Sequence, residues 1–567
     1  MTGSLTSPPW HADPNQTAAA PQPAPFDAAA AGGAHPSSNV DHASLMDFKN
    51  EAVLDLRRAA ERQALVAALA ELDARLPLSV PVIINGQERS APTFDSIDPA
   101  TPARVVARVT AATTSDVDQA VSVAAQAQRE WGRLPAAQRA AIISKGAAEL
   151  RAQRYQLAAL QVREAGKPWN QADADVCEAI DFLEYYAAQA VILGQGRELI
   201  QVPGERNHLY YRPRGVTAVV APWNFPMSIA TGMTSAALVT GNAVCLKPAE
   251  QSPACAHAVV KALHRAGVPV GVLALLPGEG DVGAALVAHP GVHTIAFTGS
   301  EAVGLQIIRS AAQPVTDRPQ MHIKRVVAEL GGKNCIIVDY DADLDDVVPA
   351  VLDSAFAFAG QKCSAAARVL VHERIFDTLA RRLHGALETL QVGQPEDFAT
   401  DVPPVIDAEA QERLLGAIAS ATSIAGEVHS LEAHPDGDGY WVPPTIVTGA
   451  PADSPIVQRE LFGPVLSLEV VPDIDTACDM VEAQRQGLTG GLFTRNPRTV
   501  AKVVARSPIG NLYINRGITG AMVGRQPFGG NRMSGTGTKA GGPDYLLSFV
   551  EPLSVTENTV RHGLPIS

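Results

Sequence analysis

Residues Gly215 to Lys247 read GVTAVVAPWNFPMSIATGMTSAALVTGNAVCLK. Two short, almost wholly apolar runs, GVTAVV and NAVCLK, flank MSIATGMTSAALVTG, which has the length and composition of a helix. A strand with no polar alternation is buried on both faces, and strand–helix–strand units achieve this as a parallel sheet covered by helices. The rhythm continues through the helix PACAHAVVKALHRAG, the strand VLALLPG, the helix DVGAALVAHP, the strand VHTIAFTG and the helix SEAVGLQIIRSAA. A second alternating region begins near Arg325 with RVVAEL, CIIVD, a helix from Leu344 to Phe358 and ARVLVH, and runs to about Gly535. The fold class is therefore α/β, and ligands of such sheets bind beyond the carboxyl ends of the strands.

Working outward, residues 1–42 are rich in Ala, Pro, Ser and Gly and cannot bury enough apolar surface to offset their ordering entropy, so a disordered tail is expected. Leu45 to Leu76 favours a helix, with an apolar stripe of Leu54, Ala60, Leu65, Leu69 and Leu72. VPVIINGQE reads as a hairpin turning at Asn85-Gly86. Amphipathic helices fill residues 114–193, including AVSVAAQAQREWGRL and CEAIDFLEYYAAQAVIL. YYRP and LLSFVEPLSV, near residues 200–214 and 537–560, have the character of strands.

Composition excludes several classes. Hydrophobic residues are 46% and charged residues 18% of the 567, which argues against a mostly disordered chain. A formal charge of −14 gives no basic footprint for nucleic acid. No uncharged apolar run is long enough for a membrane span, and no Lys or Arg precedes Lys49 to start a signal peptide. The six cysteines form no Cys-x-x-Cys pair and suit neither a zinc site nor a disulfide scaffold, so reduced thiols in the cytoplasm and no metal are expected.

GEGDVG at Gly278 to Gly283 matches Gly-x-Gly-x-x-Gly after a strand, but no acidic residue completes the ribose-binding pattern, and a plain turn is the commoner reading. In FAGQKCSAAARV, Cys363 follows Lys362 in a tight loop. A neighbouring cation could favour a nucleophilic thiolate, and a buried structural cysteine is the competing reading.

PWNF (Pro222 to Phe225), KPAE (Lys247 to Glu250), FTGS (Phe297 to Ser300), VAELGGK (Val327 to Lys333), GQKC (Gly360 to Cys363), ELFGPV (Glu460 to Val465) and PFGG (Pro527 to Gly530) occur in this order. Their order and spacing over about residues 80 to 560 resemble the aldehyde dehydrogenase superfamily. EAGKPW, HIKRVVAELGGKN, AGQKCSAAARV and GAMVGRQPFGG resemble its L-glutamate γ-semialdehyde dehydrogenase branch in the free-standing form. The resemblance implies a Rossmann-like NAD-binding domain, an α/β catalytic domain and a β-flap for oligomerisation. Laid on the chain, these are a tail at 1–42, a helical arm with the first part of the cofactor domain at 43–199, flap at 200–214, cofactor core at 215–328, catalytic domain at 329–536, and flap with C-terminal tail at 537–567.

It also implies roles. Cys363 would attack the aldehyde carbon, Asn224 and the Cys363 backbone N–H would hold the oxyanion, and Glu329 would activate water to hydrolyse the thioester. For NAD, Lys247 and Glu250 resemble the adenosine-ribose contacts, Gly299, Ser300 and Val303 the turn and helix start against pyrophosphate and adenine, and Glu460 and Phe462 the nicotinamide-ribose contacts. Pro222, Trp223, Gly280 and Leu330 join the cofactor set. Glu250 beside the ribose hydroxyls favours NAD over NADP. For substrate, Ser364 with Gly520 and Ala521 would anchor the α-carboxylate, Phe225 and Phe528 would flank the aliphatic chain, Glu178 would face the ammonium, and Lys362 would support the anchor. The implied activity is oxidation of L-glutamate γ-semialdehyde, the open form of 1-pyrroline-5-carboxylate, to L-glutamate in proline catabolism. The implied partners are this small-molecule substrate, further copies of the chain in a dimer or dimer-based assembly such as a hexamer, and a separate proline dehydrogenase. Another semialdehyde such as succinate semialdehyde is the alternative substrate. A catalytically silent binding protein on the same scaffold is the alternative class, and intact Cys363, Glu329 and Asn224 argue against it.

Deleting residues 2–42 is expected to leave thermal stability and activity nearly unchanged. A large fall in Tm of the truncated protein would contradict this reading.

Overall fold

The computed structural model describes residues 48–91, 93–313, 320–431, 435 and 437–560. The stretch 1–42 and residues 561–567 lie outside the described residues. Two seven-stranded sheets carry the fold. The first has the order Arg325–Leu330, Thr294–Gly299, Val216–Val220, Ala243–Lys247, Leu273–Leu275, Val82–Ile84 and Gln87–Arg89. Its first five strands are parallel, and the last two add an antiparallel hairpin at the edge. Asn85 (φ 53°) and Gly86 (φ 75°) supply the left-handed pair that a two-residue hairpin needs. Every residue of Ala243–Lys247 is buried, as its unbroken apolar run requires.

The apolar rhythm assigns Arg325–Leu330 to the second region, but this strand pairs with Thr294–Gly299 from Thr294↔Arg325 to Gly299↔Leu330. The first sheet thus extends past 328 and carries Glu329 at its carboxyl end. An apolar strand flanked by helices fits either sheet equally well, so the sequence pattern could not choose between them.

The second sheet has the order Glu427–Ser430, Thr445–Thr448, Val465–Val471, Ala366–His372, Asn334–Val338, Thr489–Phe493 and Asn511–Ile514. Only the edge strand Glu427–Ser430 is antiparallel. Its main hydrophobic core is separate from that of the first sheet. The helix expected to reach Phe358 stops at Phe356, because Phe358, Ala359 and Gly360 all adopt positive φ.

Three small sheets complete the described chain, one of them the two-stranded pair Gln486–Gly487 and Asn531–Arg532. Leu78–Val80, Thr101–Val109 and Phe94–Asp98 form a second that the sequence reading lacks. In the third, Val550–Asn558 pairs antiparallel along the whole of Glu205–Pro213, with Arg197–Glu198 on the far side. Among the described residues, no helix is long and apolar enough to cross a membrane.

The helix expected over Leu45 to Leu76 spans only Ala59–Asp73, and residues 48–55 have no regular structure. Tertiary hydrogen bonds override helix propensity there. Asp181 accepts from the Glu51 N–H (2.7 Å) and the Asn50 amide (2.8 Å). Asp173 accepts from the Leu54 N–H (2.8 Å) and pairs in two places with Arg154 (2.6 and 2.9 Å). Asp173→Ala leaves the buried Arg154 guanidinium with only the more distant Glu51 (3.6 Å) and the Ala52 carbonyl, an expected cost of about 3 kcal/mol. Thermal unfolding checks this. Tm should fall clearly in Asp173→Ala, and hardly at all in Arg57→Ala, whose ion pair with Asp55 is exposed.

Candidate active site

Loops at the carboxyl ends of the first sheet and loops at the amino ends of the second line a common cleft of about 730 Å³. From the first sheet come Pro222 to Phe225 after Val216–Val220, Gly299 and Ser300 after Thr294–Gly299, and Glu329 and Leu330 from Arg325–Leu330. From the second come Cys363 and Ser364 before Ala366–His372, and Glu460 and Phe462 before Val465–Val471.

The loop before Cys363 is tightly constrained. Phe358 (φ 54°), Ala359 (φ 53°) and Gly360 (φ 66°) are left-handed in succession. A Cβ on Gly360 would lie 2.5 Å from the Gly463 carbonyl and 2.8 Å from that of Ala355, so only glycine fits. The buried Gln361 side chain donates to the Phe358 and Pro404 carbonyls (3.3 and 3.2 Å) and accepts from the Ile406 N–H (2.9 Å). Asn334 Nδ2 donates to the carbonyls of Cys363 (2.7 Å) and Ala365 (2.9 Å), and its Oδ1 accepts from the Thr489 N–H (3.0 Å). The Thr489 hydroxyl donates to the Ser364 carbonyl (3.1 Å).

Of the six cysteines, the other five are buried and Cys363 alone is partly exposed. Burial, with the carboxyls of Glu460, Glu329 and Glu178 nearby, pushes its thiol up to about 12. The adjacent Lys362, whose ammonium burial pushes down to about 8, does not outweigh these effects.

Asn224 Nδ2 donates one hydrogen to the Gln361 carbonyl at 3.0 Å. An amide carries a second, and the Asn224 side chain lies on the cleft wall. Beneath it lies Lys167, fully buried, which the sequence reading did not single out. Lys167 Nζ donates to the Asn224 carbonyl (2.9 Å), stands 3.9 Å from Asp175 and lies 4.1 Å from the centre of the Phe225 ring. Asp175 in turn accepts from the N–H groups of Met227 and Ser228, both at 3.2 Å. The signal was the lysine of EAGKPW, a cation in the short turn between two helices.

Glu329 Oε2 accepts from the Gly530 N–H at 2.8 Å, whereas Oε1 is buried with no hydrogen-bond partner. Burial raises this carboxyl well above the usual range. PFGG supplies the room, since a Cβ on Gly529 would lie 2.8 Å from Oε1.

The remaining lining fits an extended dinucleotide. Glu460 Oε1 accepts from the Gly332 N–H (3.0 Å), and a Cβ on Gly331 would lie 1.8 Å from Oε2, so glycine is required beneath this carboxyl. Trp223 and Phe462 meet edge to face at 5.7 Å. Ser300 caps the helix Glu301–Ala312 by accepting from the Val303 N–H (3.4 Å), and Gly304 lets that helix approach Leu330, where a Cβ would come within 2.3 Å. A helix N-terminus beside the cleft suits phosphate.

Of the expected site residues, Lys247, Glu250, Gly280 and Val303 do not line the cleft, whereas Glu178, Phe225, Lys362, Ser364, Gly520, Ala521 and Phe528 do. Lys247 and Glu250 form an ion pair of 3.1 Å at the end of their strand. Gly280 opens the helix Gly280–Ala288 with open space where a Cβ would be. The turn in GEGDVG depends instead on Gly278 (φ 148°), where a Cβ would lie 2.4 Å from Val282.

Residues 86–555 match the model of the aldehyde dehydrogenase family. The 1-pyrroline-5-carboxylate dehydrogenase of Geobacillus thermodenitrificans is 41% identical over 512 residues, covering 90% of this chain and 99% of that one. The Thermus 1-pyrroline-5-carboxylate dehydrogenase with bound NAD superposes with a TM-score of 0.87 at 38% identity, covering 90% of this chain and 99% of that one. Proline utilization A (PutA) from Bdellovibrio bacteriovorus gives a TM-score of 0.89 at 45% identity, covering 91% of this chain and 54% of that one. The chain belongs to the aldehyde dehydrogenase family, in its 1-pyrroline-5-carboxylate dehydrogenase branch.

In this aldehyde dehydrogenase the thiol that reaches the cleft is neutral at rest, and that is testable. The thiolate is the form that alkylates. With Cys363 raised to about 12, its iodoacetamide reaction in the ligand-free protein should speed up about tenfold per pH unit from pH 7 to 10. Rates corrected against Cys363→Ala that level off near pH 8.5 would show an ordinary thiol.

Proposed function

We infer that the chain oxidises L-glutamate γ-semialdehyde, the open form of 1-pyrroline-5-carboxylate, to L-glutamate with NAD, the second step of proline catabolism. The observation that carries this is the meeting, in one cleft, of a partly exposed thiol from one sheet and an unpartnered buried carboxyl from the other. The relatives of this branch support the substrate, and the lining fits the cofactor.

The Cys363 sulfur attacks the aldehyde carbon as its thiol proton passes to water in the open cleft. The free N–H of the Asn224 amide and the Cys363 backbone N–H hold the oxygen that becomes negative. Bound NAD supplies a hydride acceptor for the substrate carbon. Glu329 then takes a proton from the water that hydrolyses the thioester, and its high proton affinity makes its ionised form a strong base. Pro222, Trp223, Leu330, Glu460 and Phe462 form the cofactor wall, with Gly299 and Ser300 at the pyrophosphate. Lys247 and Glu250, held to each other, offer a donor and an acceptor to ribose hydroxyls. Ser364, Gly520 and Ala521 receive the α-carboxylate between Phe225 and Phe528. Glu178, pushed up to about 7 by burial and the neighbouring Asp175, faces the ammonium, whose charge favours its ionised form.

Residues 48–199 and 215–330 build the cofactor domain and 331–536 the catalytic domain. The paired strands Glu205–Pro213 and Val550–Asn558 are the flap, and their exposed edges suit a second copy of the chain. Likeness to bifunctional proline utilization A supports a link to a separate proline dehydrogenase, and a cytoplasmic location fits this role.

Initial rates with pyrroline-5-carboxylate and with succinate semialdehyde, each with NAD and NADP, test the substrate. The first substrate with NAD should give the highest kcat/KM, and a preference for succinate semialdehyde would overturn the assignment. Glu329→Gln should release a burst of NADH and then turn over about 10²- to 10⁴-fold more slowly, as expected when a general base is lost. Unchanged steady-state turnover would mean that another group serves as base.

A further inference from the structure

The edge strand Glu427–Ser430 carries Glu427 and His429 two residues apart, hence on one face. Beside it, at the end of the helix Phe376–Leu387, His384 and Glu388 are four residues apart and share a face. One donor atom from each of His384, Glu427 and His429 lies within 4.8 Å of the others. The two imidazoles stack with centroids 4.5 Å apart and planes 15° from parallel. His384 Nδ1 is 3.9 Å from Glu427 Oε1, and His429 Nε2 is 2.8 Å from Glu388 Oε1. His384 Nε2 is shielded from solvent and has no hydrogen-bond partner.

Nitrogens of two imidazoles and an oxygen of a carboxylate thus come together at one place. Imidazole and carboxylate are the ligands that zinc-type cations take. We propose that His384, Glu427 and His429 bind a divalent transition-metal cation of the zinc type, with water completing the coordination. The ion pins the edge strand to the helix. Tetrahedral bonds of about 2.0–2.1 Å require the donors to close to about 3.3 Å from one another. The two rings turn out of their stack to aim their lone pairs at the ion, and the exposed Glu427 side chain swings in. None of the three residues lines the cleft, so the site is separate from the chemistry.

The test uses chelator-treated full-length protein titrated with Co²⁺ and then Zn²⁺. One equivalent of Co²⁺ should give a tetrahedral visible absorption band that Zn²⁺ displaces, and Zn²⁺ should raise Tm as a native-state ligand does. His429→Gln and Glu427→Gln should each weaken Zn²⁺ binding about tenfold or more and remove the Tm rise, with kcat for the aldehyde unchanged. Glu427 is exposed, so its variant keeps the test readable if His429→Gln folds poorly. Cys363→Ala should keep the equivalent. A wild-type protein with no Co²⁺ band, variants that bind like the wild type, or loss of the equivalent in Cys363→Ala would each overturn the proposal.

Discussion

Asn334 joins three strands of the second sheet through one buried side chain. It stands at the start of its own strand, donates to both carbonyls flanking Ser364, and accepts from the first residue of Thr489–Phe493. Without it two carbonyls and one N–H would be orphaned, each costing about 1–3 kcal/mol where water cannot reach. The loop it fastens is strained upstream, because Phe358 and Ala359 are non-glycine residues at positive φ, each costing about 1–3 kcal/mol. Such a conformation persists only where its surroundings over-determine it. Asn334 and Gln361 provide that, and the direction of the Cys363 side chain is the result.

The second constraint is that the two sheets present opposite ends to the cleft. Parallel sheets usually offer ligands their carboxyl ends, and the first sheet does so with Asn224, Gly299 and Glu329. The second offers its amino ends, with Cys363, Glu460 and Gly331 each preceding a strand. The Cys363 thiol and the Glu329 carboxyl therefore belong to different sheets, and their relation depends on what crosses between them. Residues 529–536 cross. The Gly530 N–H binds Glu329, the Ser534 carbonyl accepts from the Leu330 N–H (2.8 Å), and the Ser534 hydroxyl donates to the Gly331 carbonyl (2.8 Å). The glycines of this segment are needed for that approach: a Cβ on Gly530 would lie 2.3 Å from the Ser534 carbonyl oxygen.

What the sequence makes legible follows from how local each signal is. The strands Val216–Val220 and Ala243–Lys247 and the Asn85-Gly86 turn are written in short contiguous patterns. The residues around Cys363, Glu329 and Asn224 stand in short contiguous motifs, so that part of the cleft could be named. Contacts between distant segments are not written locally. Residues 48–55 look helical until Asp173 and Asp181, more than a hundred positions away, claim their N–H groups. Lys167 and Asn334 looked like ordinary members of EAGKPW and GGKN, because their partners are backbone carbonyls, and a carbonyl has no residue identity. His384 and His429 fall 45 positions apart with no spacing motif between them. Gly280 stands in a motif that is formally right, and the space around its Cα is open.

The electrostatics of the cleft tie the geometry to the chemistry. Burial raises Glu178, Glu329, Glu460 and the Cys363 thiol, and the same burial lowers Lys167 and Lys362. Around Cys363 these buried groups thus disfavour charge of either sign before ligands arrive. A standing thiolate beside three carboxylates would be the least favourable of these states. On the proposed mechanism, charge is better created during reaction, on the substrate oxygen, which the Asn224 amide would receive. That amide is fixed from both sides, by the Gln361 carbonyl at its nitrogen and by Lys167 at its backbone. A fixed dipole in a low dielectric stabilises developing charge without reorganising. The buried Lys167, which touches no reacting atom, is therefore best understood as holding Asn224 in place, with Asp175 and the Phe225 ring offsetting the cost of keeping an ammonium out of water.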